Sequence, residues 1–164
     1  MSGAAHRILV IGVGNPDRGD DGVGCVVAHR LKSGTTPLAR VIEVNGEVTE
    51  LLDLLSGSSD VLIIDACQSG VAPGTIQRID VADRMLPSDS FGASTHGMGL
   101  AQAIELARSF DQLPQRCIVF AVEGDSFEIG APLSPAVQES VPIVVQRLWE
   151  EIAAIAREGA IIDA

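Results

Sequence analysis

Apolar residues along this chain fall into two rhythms. Short continuous runs, over residues 8–13 (ILVIGV) and 61–64 (VLII), have no polar alternation. That is the pattern of parallel strands covered on both faces. Between such runs, apolar positions recur at helical spacing: Val23, Val26, Val27 and Leu31, then Leu51, Leu52, Leu54 and Leu55, then Leu100, Ala103, Ile104 and Ala107. The pattern predicts strands over 7–13, 40–44, 60–66, 75–81 and 116–122. It predicts helices over 21–32, 47–55, 96–110 and 134 to about 157, the last bent by Pro142. Residues 33–37, 85–95 and 123–134 read as loops. After the Pro73-Gly74 turn, Ile76, Ile79 and Val81 alternate as in an edge strand. The connection leading to it is too short for a crossover helix, so this strand is expected to run antiparallel. The fold class is therefore α/β: a twisted, mostly parallel five-stranded sheet with helices on both faces and one antiparallel edge strand, forming a single domain over 1–164.

Composition narrows the picture. Apolar residues make up 46% of 164 residues, enough for a packed core, and aromatics only 3%, so that core is aliphatic. A net charge of −11 argues against a nucleic-acid or anionic-membrane partner. Three cysteines without CxxC spacing read as reduced thiols and point to the cytoplasm. The short polar stretch before Ile8 is not expected to be a secretory leader, and no apolar run reaches a membrane span.

Chemistry in such a sheet collects at the carboxyl ends of the strands. The first strand turns at Gly14-Asn15-Pro16 and leads to Asp20 and Asp21 at a helix start. One acid there is favoured by the helix dipole; two exceed what a cap requires, which makes Asp21 a candidate for metal or proton chemistry. Asp65 ends the third strand and His96 opens the helix before the last one. Two carboxylates and an imidazole suit a borderline divalent metal with open positions. Taken singly, the same residues also read as two helix caps and a strand end. Cys67 lies on the same side of its strand as Asp65 and reads as a nucleophile, a further ligand or a small core residue, the last being the commonest fate of a lone cysteine. Glu123 either orients one of the ligands from behind or is a solvated loop acid, the simpler reading. Cys25 and Cys117 read as core, His6 and His29 as surface, and Trp149 as a core anchor. A dinucleotide site is disfavoured: Gly12-Val13-Gly14 lacks the third glycine, and Asp17, Asp20 and Asp21 would repel a pyrophosphate.

These motifs in this order resemble the hydrogenase maturation proteases. The first block stands as Gly12-Val13-Gly14-Asn15 and Asp20-Asp21-Gly22-Val23-Gly24. It is followed by Ile63-Ile64-Asp65-Ala66, the turn Pro73-Gly74-Thr75, Ser94-Thr95-His96, and Leu133-Ser134-Pro135 opening the last helix. The resemblance runs over nearly the whole chain. It implies an endopeptidase of aspartyl type that removes the C-terminal extension of a nickel–iron hydrogenase large-subunit precursor once nickel is inserted. It implies that Asp21, Asp65 and His96 bind that metal and serve catalysis, with nickel supplied by the precursor rather than held tightly by the enzyme. The expected partner is that precursor, with no membrane insertion, and the chain is expected to be a monomer. A non-enzymatic chaperone that binds nickel or the precursor on the same fold is the alternative. One departure stands out. Many members carry an Asp after the second strand, where this chain reads Asn45-Gly46-Glu47. Either that position is structural or Glu47 replaces it.

Overall fold

The computed structural model describes residues 8–34, 38–87, 89–91 and 98–162. Strands β1 (Ile8–Val13), β2 (Ala39–Val44), β3 (Asp60–Cys67), β4 (Ile76–Asp80) and β5 (Arg116–Glu123) form one sheet in the order β2-β1-β3-β5-β4. All pairings are parallel except β4 with β5, the expected antiparallel edge. Helices α1 (Val23–Ser33), α2 (Val48–Ser56), α3 (Met98–Ser109) and α4 (Pro135–Ile162) cover both faces. Leu51, Leu55, Leu100, Ile104 and Ala107 pack on the face presented by Ile11, Ile63 and Val119. Val23, Val27, Leu31, Val137, Val144, Leu148 and Ile152 pack on the opposite face, against Val10, Leu62, Ile64 and Phe120. Every residue of β1 is buried, as is every residue of β3 and β5 after the first, which is why these strands read as unbroken apolar runs.

Several boundaries differ from the sequence reading for identifiable reasons. A 3₁₀ turn over Gly19–Gly22 precedes α1, so the helix expected from Asp21 begins at Val23. β3 and β5 each run one residue further than expected, to the pair Cys67↔Glu123, because the ladder between them continues to that point. The last helix contains Pro142 and continues to Ile162. Trp149 is half-buried at the margin of the core rather than at its centre.

The contact of α1 with the sheet dictates the glycines of the first motif. A Cβ on Gly24 would stand 2.4 Å from the Val13 carbonyl oxygen and 2.5 Å from that of Ile64. A Cβ on Gly12 would stand 2.2 Å from the Gly24 carbonyl oxygen. Only glycine at both positions lets the helix rest directly on the backbones of β1 and β3.

Candidate active site

Strand β1 has β2 on one side and β3 on the other, so consecutive crossovers leave it in opposite directions. The crevice at its carboxyl end is where an open α/β sheet holds ligands. Asp21 lies in the 3₁₀ turn after β1 and Asp65 near the end of β3, so both stand at the carboxyl ends of neighbouring strands. Both are buried, at 7% and 4% exposure. Gly14 (φ +143°) brings the chain against Asp21: a Cβ there would stand 1.9 Å from the Asp21 carbonyl oxygen. The adjacent Asn15 N–H donates to Asp21 Oδ2 at 3.1 Å. Asp65 Oδ1 accepts the Ala66 N–H at 2.8 Å. Burial, and next the negative charge of Asp21, push the Asp65 carboxyl well above the usual carboxylate range, while the Ala66 N–H pulls it back only in part. A buried acid whose ionisation is disfavoured by a second buried acid suits a cation or a held proton.

The third candidate, His96, lies outside the described residues. The described chain on either side of it is anchored. Upstream, Phe91 is buried in the core and the Ser90 carbonyl accepts the Gln68 N–H at 2.7 Å, just past the end of β3. Downstream, Gly99 in the first turn of α3 meets the turn after β2: a Cβ there would stand 1.9 Å from the Gly46 carbonyl oxygen. Among the described residues, no three His, Cys, Asp or Glu side chains group as a metal site.

Asp20 does not cap a helix. It is fully buried, and its carboxylate accepts four hydrogen bonds: from Asp125 N–H at 2.7 Å, Ser126 N–H at 3.0 Å, Ser134 N–H at 2.7 Å and the Ser134 hydroxyl at 2.8 Å. It thereby ties the loop after β1 to the loop between β5 and α4. Asp21 is no cap either, since neither the 3₁₀ turn nor α1 has a side-chain cap.

Glu123 is not a solvated loop acid. It is the last residue of β5, 2% exposed. Its carboxylate accepts the Ser69 hydroxyl at 2.8 Å, the Ser69 and Gly70 amides at 2.8 and 2.9 Å, and the Cys67 thiol at 3.3 Å. Burial alone would raise its pKa; the donors from Ser69, Gly70 and Cys67 outweigh burial and hold it below the usual value. The same contact disqualifies Cys67 as a nucleophile. Burial first, then donation to the Glu123 carboxylate, push the thiol far up, so the thiolate is not formed at neutral pH. Cys25 and Cys117 are buried, with thiols pushed up to about 11 and about 12, chiefly by burial. His29 is exposed, as expected.

Asn45, where many resembling sequences carry Asp, accepts the Glu47 N–H on Oδ1 at 3.1 Å and is exposed. Glu47 is also exposed and accepts the Thr49 hydroxyl at 2.9 Å. Asn45 therefore shapes the turn, with Gly46 at φ +96°.

Comparison with known proteins identifies the family and the fold. The profile of the hydrogenase maturation protease family (HycI) matches residues 25–151. The chain is 28% identical over 151 residues to the hydrogenase 3 maturation protease of Escherichia coli, covering 87% of this chain and 90% of that one. It is 25% identical over 167 residues to the hydrogenase expression/formation protein HupD of Thiocapsa roseopersicina, covering 96% and 75%. Its fold superposes on the hydrogenase maturating endopeptidase HybD from E. coli with a TM-score of 0.77 at 25% identity, covering 93% and 94%. On these grounds, this chain belongs to the hydrogenase maturation protease family and is a peptidase.

Proposed function

We propose that the protein removes the C-terminal extension of a nickel–iron hydrogenase large-subunit precursor after nickel insertion, and that Asp21, Asp65 and His96 recognise the nickel carried by that precursor. The observation that carries this reading is the pair of buried carboxylates, Asp21 and Asp65, at the crevice beside β1, where the charge of one disfavours ionisation of the other. A cation delivered by the substrate removes that repulsion. His96 is the third ligand in this reading. Its support is that the anchors on either side of it stand at the carboxyl ends of β3 and β2, with β1 between them.

The donor set fits such a visitor. Two oxygens and one nitrogen from the enzyme complete a coordination sphere that substrate ligands have begun. Gripping the precursor's ion fixes the scissile bond next to Asp21 and Asp65, so recognition becomes positioning. Nickel there contributes Lewis acidity toward a carbonyl or water. Asp65 is the group that takes the proton of the attacking water and returns it to the departing amine.

The test is intact mass of nickel-loaded precursor incubated with enzyme. Wild type removes the extension, while Asp21→Asn and His96→Ala lower the rate by about 100-fold or more. Wild-type rates in both variants would refute the ligand assignment. Unchanged mass with wild type would refute the processing role.

A further inference from the structure

The loop joining β5 to α4, residues 124–134, carries the most exposed large aliphatic side chain among the described residues, Ile129 at 84%. A single exposed aliphatic residue is ordinary on a protein surface. What is unusual is how the segment presenting it is held. Beyond the four hydrogen bonds to Asp20, Gly19 N–H donates to the Ala131 carbonyl at 3.1 Å and Asp20 N–H to that of Ser126 at 2.8 Å. Gly130 N–H donates to the Asp17 carbonyl at 2.7 Å, immediately after Ile129. Arg18 Nε donates to the Phe127 carbonyl at 3.4 Å. Partners on 17–20 therefore hold both ends of the loop and its tip, and the aliphatic side chain stands outward from a fixed backbone. The loop leaves the carboxyl end of β5, on the same edge of the sheet as Asp21 and Asp65, and its main anchor, Asp20, is the covalent neighbour of Asp21.

We propose that residues 124–134 form a preformed arm on which the hydrogenase large-subunit precursor docks, with Ile129 entering an apolar contact on that precursor beside the site of cleavage. The inference rests on the proposed reading of Asp21 and Asp65 as the place of cleavage. A contact made before and during the reaction alike contributes to binding the precursor and not to the chemical step. Its loss raises KM and leaves kcat unchanged.

The experiment compares Ile129→Asp and Ile129→Leu with Phe110→Asp on nickel-loaded precursor. Phe110, 59% exposed, follows the end of α3 at the opposite edge of the sheet and is the control. Ile129→Asp is expected to raise KM about 10-fold with kcat and melting temperature unchanged, which is the scale of one lost buried aliphatic contact. Ile129→Leu restores KM, and Phe110→Asp leaves it at the wild-type value. A KM for Ile129→Asp within about twofold of wild type, or an equal rise in Phe110→Asp, overturns the arm. That result leaves the ligand assignment standing, because Asp21→Asn tests it separately through the rate.

Discussion

Asp65→Asn should make this protein more stable and less active. Asp65 is 4% exposed, and its carboxyl is pushed up by burial and by Asp21, itself 7% exposed. A like charge on Asp21 close enough to raise the Asp65 pKa costs on the order of 3 kcal/mol at an effective dielectric constant of ~20 when both groups are ionised. Relaxation and the residual hydration of Asp21 reduce the share that an amide would relieve to ~1–3 kcal/mol. The bond from the Ala66 N–H survives, because an Asn oxygen accepts it as the Asp65 oxygen does. The sign follows from linkage. With its folded-state pKa above the unfolded value of about 3.9, the native protein binds the extra proton, and stability falls as pH rises from about 4 through the raised pKa. The variant lacks that loss. Its advantage should therefore be near zero at about pH 4 and grow as pH rises through the raised pKa. Thermal melts from acid to neutral pH, with chelator present, should show a gain of roughly 2–10 °C at neutral pH, while processing of nickel-loaded precursor collapses. A variant less stable than wild type at neutral pH, or a gain independent of pH, would show that the Asp21–Asp65 repulsion is not what shapes this crevice.

Two further substitutions probe the frame around it. Glu123→Gln should cost ~1–2 kcal/mol at neutral pH: its amide oxygen keeps the Ser69 and Gly70 N–H donors at the Oε1 position, but its nitrogen replaces the Oε2 that accepts the Ser69 hydroxyl and the Cys67 thiol, and the charge that strengthens all four bonds is lost. Its pH dependence is opposite to that of Asp65→Asn: the lowered pKa of Glu123 stabilises the fold above the unfolded carboxylate pKa, and this contribution fades as pH falls through the folded value. Urea titrations at neutral and acid pH would measure both, and a gap that persists in acid would refute the charge-based account. Gly24→Ala should destabilise by at least ~2 kcal/mol and slow processing together, since its Cβ would meet the backbone oxygens of Val13 and Ile64 and lift α1, with the turn bearing Asp21, off the sheet. Wild-type melting and activity in this variant would refute that contact.

How much of this is legible before folding depends on how far apart the interacting residues lie. The strands were readable because β1, β3 and β5 are buried along both faces, so their apolar runs are continuous. The antiparallel β4 was readable because the connection after β3 is short and its apolar positions alternate. Asp21 and Asp65 were visible as rim acids because strand ends place them there. The duty of Asp20 was not visible, because its donors are Asp125, Ser126 and Ser134, more than a hundred residues onward, and three of the four bonds come from backbone amides, which any residue type supplies. Glu123 was misread for a related reason. Its burial depends on the β3–β5 register that sets it opposite Cys67, one residue beyond the apolar run that marks β5 in the sequence.

In the proposed reading, Asp20 and Asp21 divide two incompatible tasks within one dipeptide. A carboxylate surrounded by four donors, as Asp20 is, has its lone pairs engaged and is a poor choice to meet an incoming ion. A carboxylate placed to meet an ion stands near another acid, and such a pair opposes folding wherever the surrounding chain is free to move away from it. Asp21 and Asp65 stay together because the backbone around them is fixed elsewhere: by Asp20 to the loop after β5, by Gly14 and Asn15 against Asp21, and by Gly12 and Gly24 where α1 rests on the sheet. The glycines of the first motif and its first acid are thus the structural condition for the second acid, and a change in any of them should be felt at Asp21 before it is felt at the active edge as a whole.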